Sequence, residues 1–121
     1  MGTFLVAALL AIWVSAAKAA DASVGWYTKD QARAGKKLYM QHCLSCHPAG
    51  YFGPVFKAWK GERLASLYTV MAEGMPESNP GGLDREVYTQ VLAYILKDVG
   101  YPRGEQPLEP GSDRFMRLVI E

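Results

Sequence analysis

Apolar and small residues recur at the three- and four-residue intervals of an α-helix in three stretches of the chain. The first follows Thr28 and Gln31, whose types and spacing form a capping box at a helix start. The second ends at Gly74, a residue type common just beyond a helix, and the third begins after Asp84. Because almost no strand-like alternation is present, the pattern predicts an all-α fold of about three to five helices. The predicted buried positions are Ala32, Gly35, Leu38 and Tyr39, then Leu64, Leu67, Tyr68 and Met71, then Val87, Val91, Tyr94 and Ile95.

The segments between these helices are rich in proline and glycine. Residues 48–54 are predicted to form a loop, and residues 75–82, with two prolines and two glycines, cannot form a helix. Met75 places an apolar side chain at the start of this second segment, where it requires a partner from elsewhere in the molecule. Residues 101–110 are predicted to run extended over the surface, and residues 112–120 are compatible with either a short turn or a strand.

The chain opens with an apolar run over residues 4–17, followed by small residues. This run is shorter than the roughly 20 residues that a membrane-spanning helix needs. Residues 17–19, Ala-Lys-Ala, have the pattern of a signal-peptide cleavage site. We therefore expect residues 1–19 to be a cleaved signal peptide, residues 20–121 to be the single mature domain, and the protein to be periplasmic. No Lys or Arg precedes the run, which leaves a retained membrane anchor as the alternative.

The charges are nearly balanced, with 13 Lys and Arg against 12 Asp and Glu. Removal of Lys18 with the signal peptide would balance them fully, so there is no electrostatic case for binding nucleic acid or an anionic membrane surface. A mature chain of about 102 residues is a marginal length for a stable core. A large apolar prosthetic group would supply the missing centre of that core.

The motif that matches this need is Cys-x-x-Cys-His at Cys43, Cys46 and His47. This is the attachment signal for c-type haem. On a short helical turn the two thiols share one face and can reach the two vinyl groups along one edge of a porphyrin. The histidine that follows lies beside the ring, with its imidazole directed at the iron.

Three other interpretations of the motif are weaker. A thioredoxin-like redox pair would lie in a βαβ pattern, which this chain lacks. Structural zinc draws its ligands from two separated pairs, whereas the candidate ligands here, His42, Cys43, Cys46 and His47, fall within one short stretch. A disulfide between the two cysteines would close a very small loop and would contribute little stability. Haem attachment is therefore favoured.

Together with the motif, four further features resemble a monohaem class I cytochrome c. They are Gly35 with Tyr39, the pair Gly53-Pro54, the pair Met75-Pro76, and the sequence Leu-Ala-Tyr-Ile-Leu over residues 92–96. The resemblance covers nearly all of residues 28–98, and the sequence is similar to small bacterial periplasmic cytochromes and the cytochrome c domains of quinoprotein dehydrogenases. It implies a small cytochrome c fold wrapped around one covalently bound haem c with its iron.

The resemblance also implies the iron ligands. Cys43 and Cys46 would form the thioethers, His47 would be the proximal ligand and Met75 the distal ligand. The remaining methionines of the mature chain fit this role less well. They are Met40, close to the motif on the helix that leads into it, Met71, which completes an apolar stripe, and Met116, in the tail.

Further contacts are implied with less specificity. The Pro54 carbonyl would accept a hydrogen bond from the His47 ring. The Trp59 indole N–H is a candidate donor to a haem propionate, with plain packing as the alternative. Gly35 and Tyr39 would cross the last helix near Tyr94. A glycine in a helix interior costs about 1 kcal/mol relative to alanine, so a close contact is its expected reason.

A His/Met haem has both axial positions filled, so the resemblance implies a non-enzymatic carrier of single electrons. It would pass them between a periplasmic dehydrogenase and a terminal acceptor such as an oxidase. A gas sensor with a labile Met75, a peroxidase-like enzyme with an open distal face, and a permanent electron-relay subunit of a larger redox complex are the alternatives. His42 is expected to be a solvent-facing neighbour of Cys43.

Overall fold

The computed structural model describes residues 24–121, so the predicted signal peptide at residues 1–19 lies outside the described residues. The described chain forms five α-helices and two isolated β-bridges, with no β-sheet among these residues. The helices are α1 (Lys29–His42), α2 (Phe52–Ala58), α3 (Leu64–Gly74), α4 (Arg85–Asp98) and α5 (Asp113–Arg117). The all-α prediction is confirmed. Within residues 24–121, no helix is both long and apolar enough to cross a membrane.

The start of α1 has the predicted capping box. The Gln31 backbone N–H donates to Thr28 Oγ1 at 3.2 Å, and the Thr28 backbone N–H donates to Gln31 Oε1 at 3.2 Å. These two bonds satisfy amides that have no partner inside the helix. Gln31 also joins the tail, because its side-chain nitrogen donates to the Leu108 carbonyl at 2.8 Å and its Oε1 accepts from the Leu108 N–H at 2.7 Å.

Helix α1 crosses α4 at very short range. A Cβ atom on Gly35 would lie 1.8 Å from the Gln90 carbonyl oxygen, so only glycine permits this approach. One turn further along α1, the Tyr39 and Tyr94 rings pack with their centroids 5.2 Å apart. The predicted close contact of Gly35 is confirmed, and the two helices form the frame on which the rest of the molecule is assembled.

The core lies between α1, α3, α4 and the tail. Its largest fully buried side chains are Leu64, Leu92, Leu96 and Ile120. Helix α4 is buried over much of its circumference, with Tyr88, Thr89, Val91, Leu92, Ala93, Ile95 and Leu96 all buried. The predicted stripes are confirmed for most positions, while Leu38, Met71, Val87 and Tyr94 are half-buried at the edge of the core.

Two predictions about the connecting segments need revision. Residues 48–54 are not all loop, because α2 begins at Phe52 and includes Pro54. A proline in the first turn of a helix is tolerated, since the amide it lacks would have no intrahelical partner there. The tail at residues 112–120 contains both a helical turn, α5, and a strand-like contact, the antiparallel bridge between Arg63 and Val119.

Candidate functional site

The Cys-x-x-Cys-His motif forms a compact turn at the end of α1. Cys43 is the C-terminal cap of α1, and its backbone N–H donates to the Tyr39 carbonyl at 2.8 Å. The Cys43 carbonyl then accepts from the backbone N–H groups of Cys46 at 3.2 Å and His47 at 2.9 Å. These bonds bring both cysteines and the histidine to one end of α1, as the sequence predicts.

The two thiols differ in environment. Cys46 is exposed, whereas Cys43 is half-buried against the core. Burial raises the pKa of the Cys43 thiol. No disulfide joins the two cysteines, so both sulfur atoms are available for thioether bonds.

His47 is held from two sides. Its ring packs on Tyr51 and Phe52, with centroid distances of 4.2 and 5.7 Å, and its carbonyl accepts a hydrogen bond from the Tyr39 hydroxyl. Burial, and secondarily neighbours such as Cys43 and Tyr94, raises the pKa of Tyr39 to about 12, so this donor remains protonated at neutral pH. The Nδ1 atom of His47 is buried and has no hydrogen-bond partner among the described residues.

The expected hydrogen bond between the His47 ring and the Pro54 carbonyl is not formed, since Nδ1 has no partner. Pro54 lies on the exposed side of α2, where carbonyl groups are directed along the helix axis. Trp59, the C-terminal cap of α2, is half-buried against the core, which agrees with the packing alternative. Its contact with a propionate stays a prediction.

Met75 lies where α3 ends. Its backbone N–H closes the helix by donating to the Met71 carbonyl at 3.0 Å, and its side chain is 37% exposed. The other three described methionines lie within helices. Met71 packs at the edge of the core, Met40 projects from α1 with 59% exposure, and Met116 lies on α5. Met75 is thus the one methionine at the start of the non-helical segment 75–83.

The sequence pattern does not indicate that Tyr88 contacts this segment. Tyr88 is buried, and its hydroxyl donates to the Met75 carbonyl at 2.6 Å and accepts from the Leu83 N–H at 3.2 Å. A buried tyrosine requires a polar partner, and this rule was the only signal in the sequence that could have indicated the contact.

The residues at this site fit a c-type haem. Two thiols suit the porphyrin vinyl groups, and an imidazole and a thioether suit the two axial positions of the iron. Large apolar side chains are exposed beside these groups: Leu44 within the motif is 40% exposed and Tyr51 is 43% exposed. Such surface is suited to contact an apolar ring. His42, the last residue of α1, is half-buried and has no assigned role.

The helical fold and this motif define a monohaem class I cytochrome c. The family model described as cytochrome c oxidase, cbb3-type, subunit III matches residues 30–95, which is more than half of the chain. The chain therefore belongs to this cytochrome c family, and its cofactor is covalently bound c-type haem with iron. Searches of curated proteins and of solved structures found no significant match. The family match extends from the first turn of α1 into α4 and leaves the tail outside it.

Proposed function

We propose that the protein is a periplasmic carrier of single electrons, with His47 as the proximal and Met75 as the distal ligand of its haem iron. The cytochrome c domain is an electron-transfer module, and such domains typically work outside the cytoplasm. The observation that carries the proposal is the family match over residues 30–95, with the Cys-x-x-Cys-His turn at the end of α1. Met75, where α3 ends, is the distal ligand that the resemblance implies. In this scheme Cys43 and Cys46 form the thioethers.

Two protein ligands would leave no iron position for a substrate. The protein's own residues would then exclude water, fix the ligands and expose one haem edge to a partner. A thioether opposite the imidazole raises the reduction potential relative to a second nitrogen ligand. This chemistry suits exchange of one electron with a dehydrogenase on one side and an acceptor such as an oxidase on the other. The sequence motifs are similar to those of small periplasmic cytochromes and of the cytochrome c domains of quinoprotein dehydrogenases.

The surface near the motif supports a transient partner contact. The charges of the chain are nearly balanced, which gives little electrostatic steering of a partner. Docking through a small apolar patch is typical of redox encounters and depends weakly on salt. We expect the rate of electron transfer to its partner to change little between low and physiological ionic strength.

A permanent relay subunit of a larger redox complex is the second candidate. The matching family is described as a subunit of a cbb3-type oxidase, which favours this alternative over a gas sensor. The mass of the native haem protein separates the two functions. A freely exchanging carrier elutes near the mass of one chain from mild extracts, whereas a relay subunit elutes with its complex.

The ligand assignment is tested by optical spectra of the purified holoprotein. Six-coordinate His/Met haem shows a weak sulfur-to-iron charge-transfer band when oxidised and does not bind carbon monoxide readily when reduced. Absence of the band, or rapid binding of carbon monoxide, would favour a sensor with a labile distal ligand. The intact mass of the same sample tests export: a mature chain beginning near Ala20 indicates cleavage, and a mass that includes residues 1–19 indicates an anchor.

A further inference from the structure

We propose that Tyr88 is the positioning residue that holds Met75 at the haem iron. The proposal rests on the proposed His/Met ligation and adds to it the group that controls how firmly the distal ligand is bound. Tyr88 does not itself contact the iron in this scheme. It acts through the backbone of the segment 75–83, which we call the methionine loop.

The methionine loop has few internal supports. Within it, the Asn79 N–H donates to the Pro76 carbonyl at 2.9 Å, the Gly82 N–H donates to the Asn79 carbonyl at 3.0 Å, and the Gly81 N–H donates to the Met75 carbonyl at 3.3 Å. These three are turn contacts within the loop. One further backbone bond, from the Met75 N–H to the Met71 carbonyl at 3.0 Å, ties the first residue of the loop to α3. The Met75 carbonyl and the rest of the loop need another contact to be held against the core.

Tyr88 supplies the connection to the core. Its ring is only 4% exposed, and its hydroxyl bonds to both ends of the methionine loop, as donor to the Met75 carbonyl and as acceptor from the Leu83 N–H. A single buried oxygen thus fixes the residue that carries the ligand and the residue where the chain enters α4. A surface cavity of about 350 Å³ borders the loop at Gly81, Leu83 and Tyr88.

The proximal side has a matching arrangement. Tyr39 on α1 donates its hydroxyl hydrogen to the His47 carbonyl, as Tyr88 on α4 does to the Met75 carbonyl. Helices α1 and α4 are locked to each other where Gly35 meets Gln90. The backbone of each proposed ligand is therefore hydrogen-bonded to a tyrosine on one of these two packed helices.

The test compares Tyr88→Phe with a matched control, Tyr68→Phe. Tyr68 is equally buried, at 6% exposure, and its hydroxyl lies 3.4 Å from both the Arg85 carbonyl and Thr89 Oγ1, outside the methionine loop. Each substitution removes one buried hydroxyl from the contacts of α4. Only Tyr88→Phe releases the loop, so stability can be separated from ligand positioning.

The measurement is titration of the oxidised holoproteins with imidazole, which competes with methionine for the iron. Loss of a buried hydrogen bond changes an equilibrium constant roughly two- to twelvefold. We expect Tyr88→Phe, which loses two such contacts, to bind imidazole about tenfold more tightly than wild type, and its charge-transfer band to fade at a lower temperature than global unfolding. Tyr68→Phe should bind imidazole within about twofold of wild type. Equal imidazole affinity in the two variants would overturn the role of Tyr88.

Failure of the ligand assignment gives a different result. If wild type lacks the charge-transfer band, or Met75→Ala retains it, the proposed ligation is wrong and the role of Tyr88 falls with it. If Met75→Ala abolishes the band while Tyr88→Phe behaves as Tyr68→Phe, only the role of Tyr88 is refuted.

Hydrogen exchange of the wild-type holoprotein provides a second test that needs no variant. The Leu83 amide, bonded to the Tyr88 hydroxyl, should exchange at least about tenfold more slowly than the Ser78 amide of the same loop, which has no partner in the described structure. Equal exchange of the two amides would contradict the proposal.

Discussion

Replacement of Gly35 by alanine tests whether the helix crossing organises the molecule. The added methyl group would lie 1.8 Å from the Gln90 carbonyl oxygen, 2.5 Å from the Gln90 carbonyl carbon and 3.0 Å from the Tyr94 Cβ atom. Ordinary contacts of this kind are near 3.4 Å or longer. Since two of these atoms belong to the backbone of α4, no side chain can move aside, and the helices must separate.

The change in the free energy of unfolding on Gly35→Ala follows from two opposing contributions, overpacking and helix propensity. Overpacking a rigid site costs about 1–3 kcal/mol or more, and the overlap here is large enough for the upper end. Alanine regains about 1 kcal/mol through its higher helix propensity. We expect a net loss of about 2 kcal/mol or more in the free energy of unfolding, which for a domain of this size corresponds to a midpoint lower by roughly 10 °C.

The assay is thermal unfolding of the oxidised holoprotein, followed by circular dichroism. Gly53→Ala is the matched control, because Gly53 lies in helix α2 and a Cβ atom there would have no neighbour within 4 Å. That variant should be as stable as wild type or slightly more so. A Gly35→Ala protein as stable as wild type would refute the claim that α1 and α4 require this contact.

Three further predictions concern the ligands, the cofactor and pH. Met75→Ala should lose the charge-transfer band and lower the reduction potential, whereas Met71→Ala should keep the band and lose about 1–2 kcal/mol of stability, since Met71 is only half-buried. Cys43→Ala combined with Cys46→Ala should remove the haem and most native structure. A cooperative, native-like melt of that variant by circular dichroism would contradict the expectation that the haem completes the hydrophobic core. Burial raises the pKa of Tyr27 above its ordinary value of 10.0. The folded state therefore holds this proton more tightly, and its contribution to stability is complete below about pH 10 and is lost as pH rises through the folded pKa. In denaturant titrations from pH 9 to 12, the free energy of unfolding should decline less steeply with pH for Tyr27→Phe than for wild type. An equal decline in the two proteins would contradict a raised pKa of Tyr27.

Local signals account for the parts of the fold that sequence predicted well. The capping box at Thr28, the helical stripes and the glycine at position 35 each depend on residues close together in the chain or on one steric rule. The motif at residues 43–47 is equally local, which is why the haem could be predicted with its proposed proximal ligand.

The parts that sequence could not predict depend on distant partners. The bridge between Arg63 and Val119 and the burial of Leu108 and Ile120 join segments far apart in the chain, and no periodic pattern encodes them. The sequence favours a loop at Pro54 because proline usually interrupts helices, whereas Pro54 lies in the first turn of α2, which accepts proline. The contact of Tyr88 with Met75 likewise depends on how α4 packs near the end of α3, which no local sequence pattern encodes.

Helix α1 also sets a length scale. Its 14 residues span about 21 Å at 1.5 Å per residue. Just before the start of α1, the Trp26 N–H donates to the Pro102 carbonyl of the tail at 2.8 Å. The haem-binding turn lies at the opposite end of the helix. The start of α1 therefore lies about two nanometres along the helix axis from the haem-binding turn. For electrode or single-molecule work, an attachment at the start of α1 would leave the haem-bearing end open to an approaching partner.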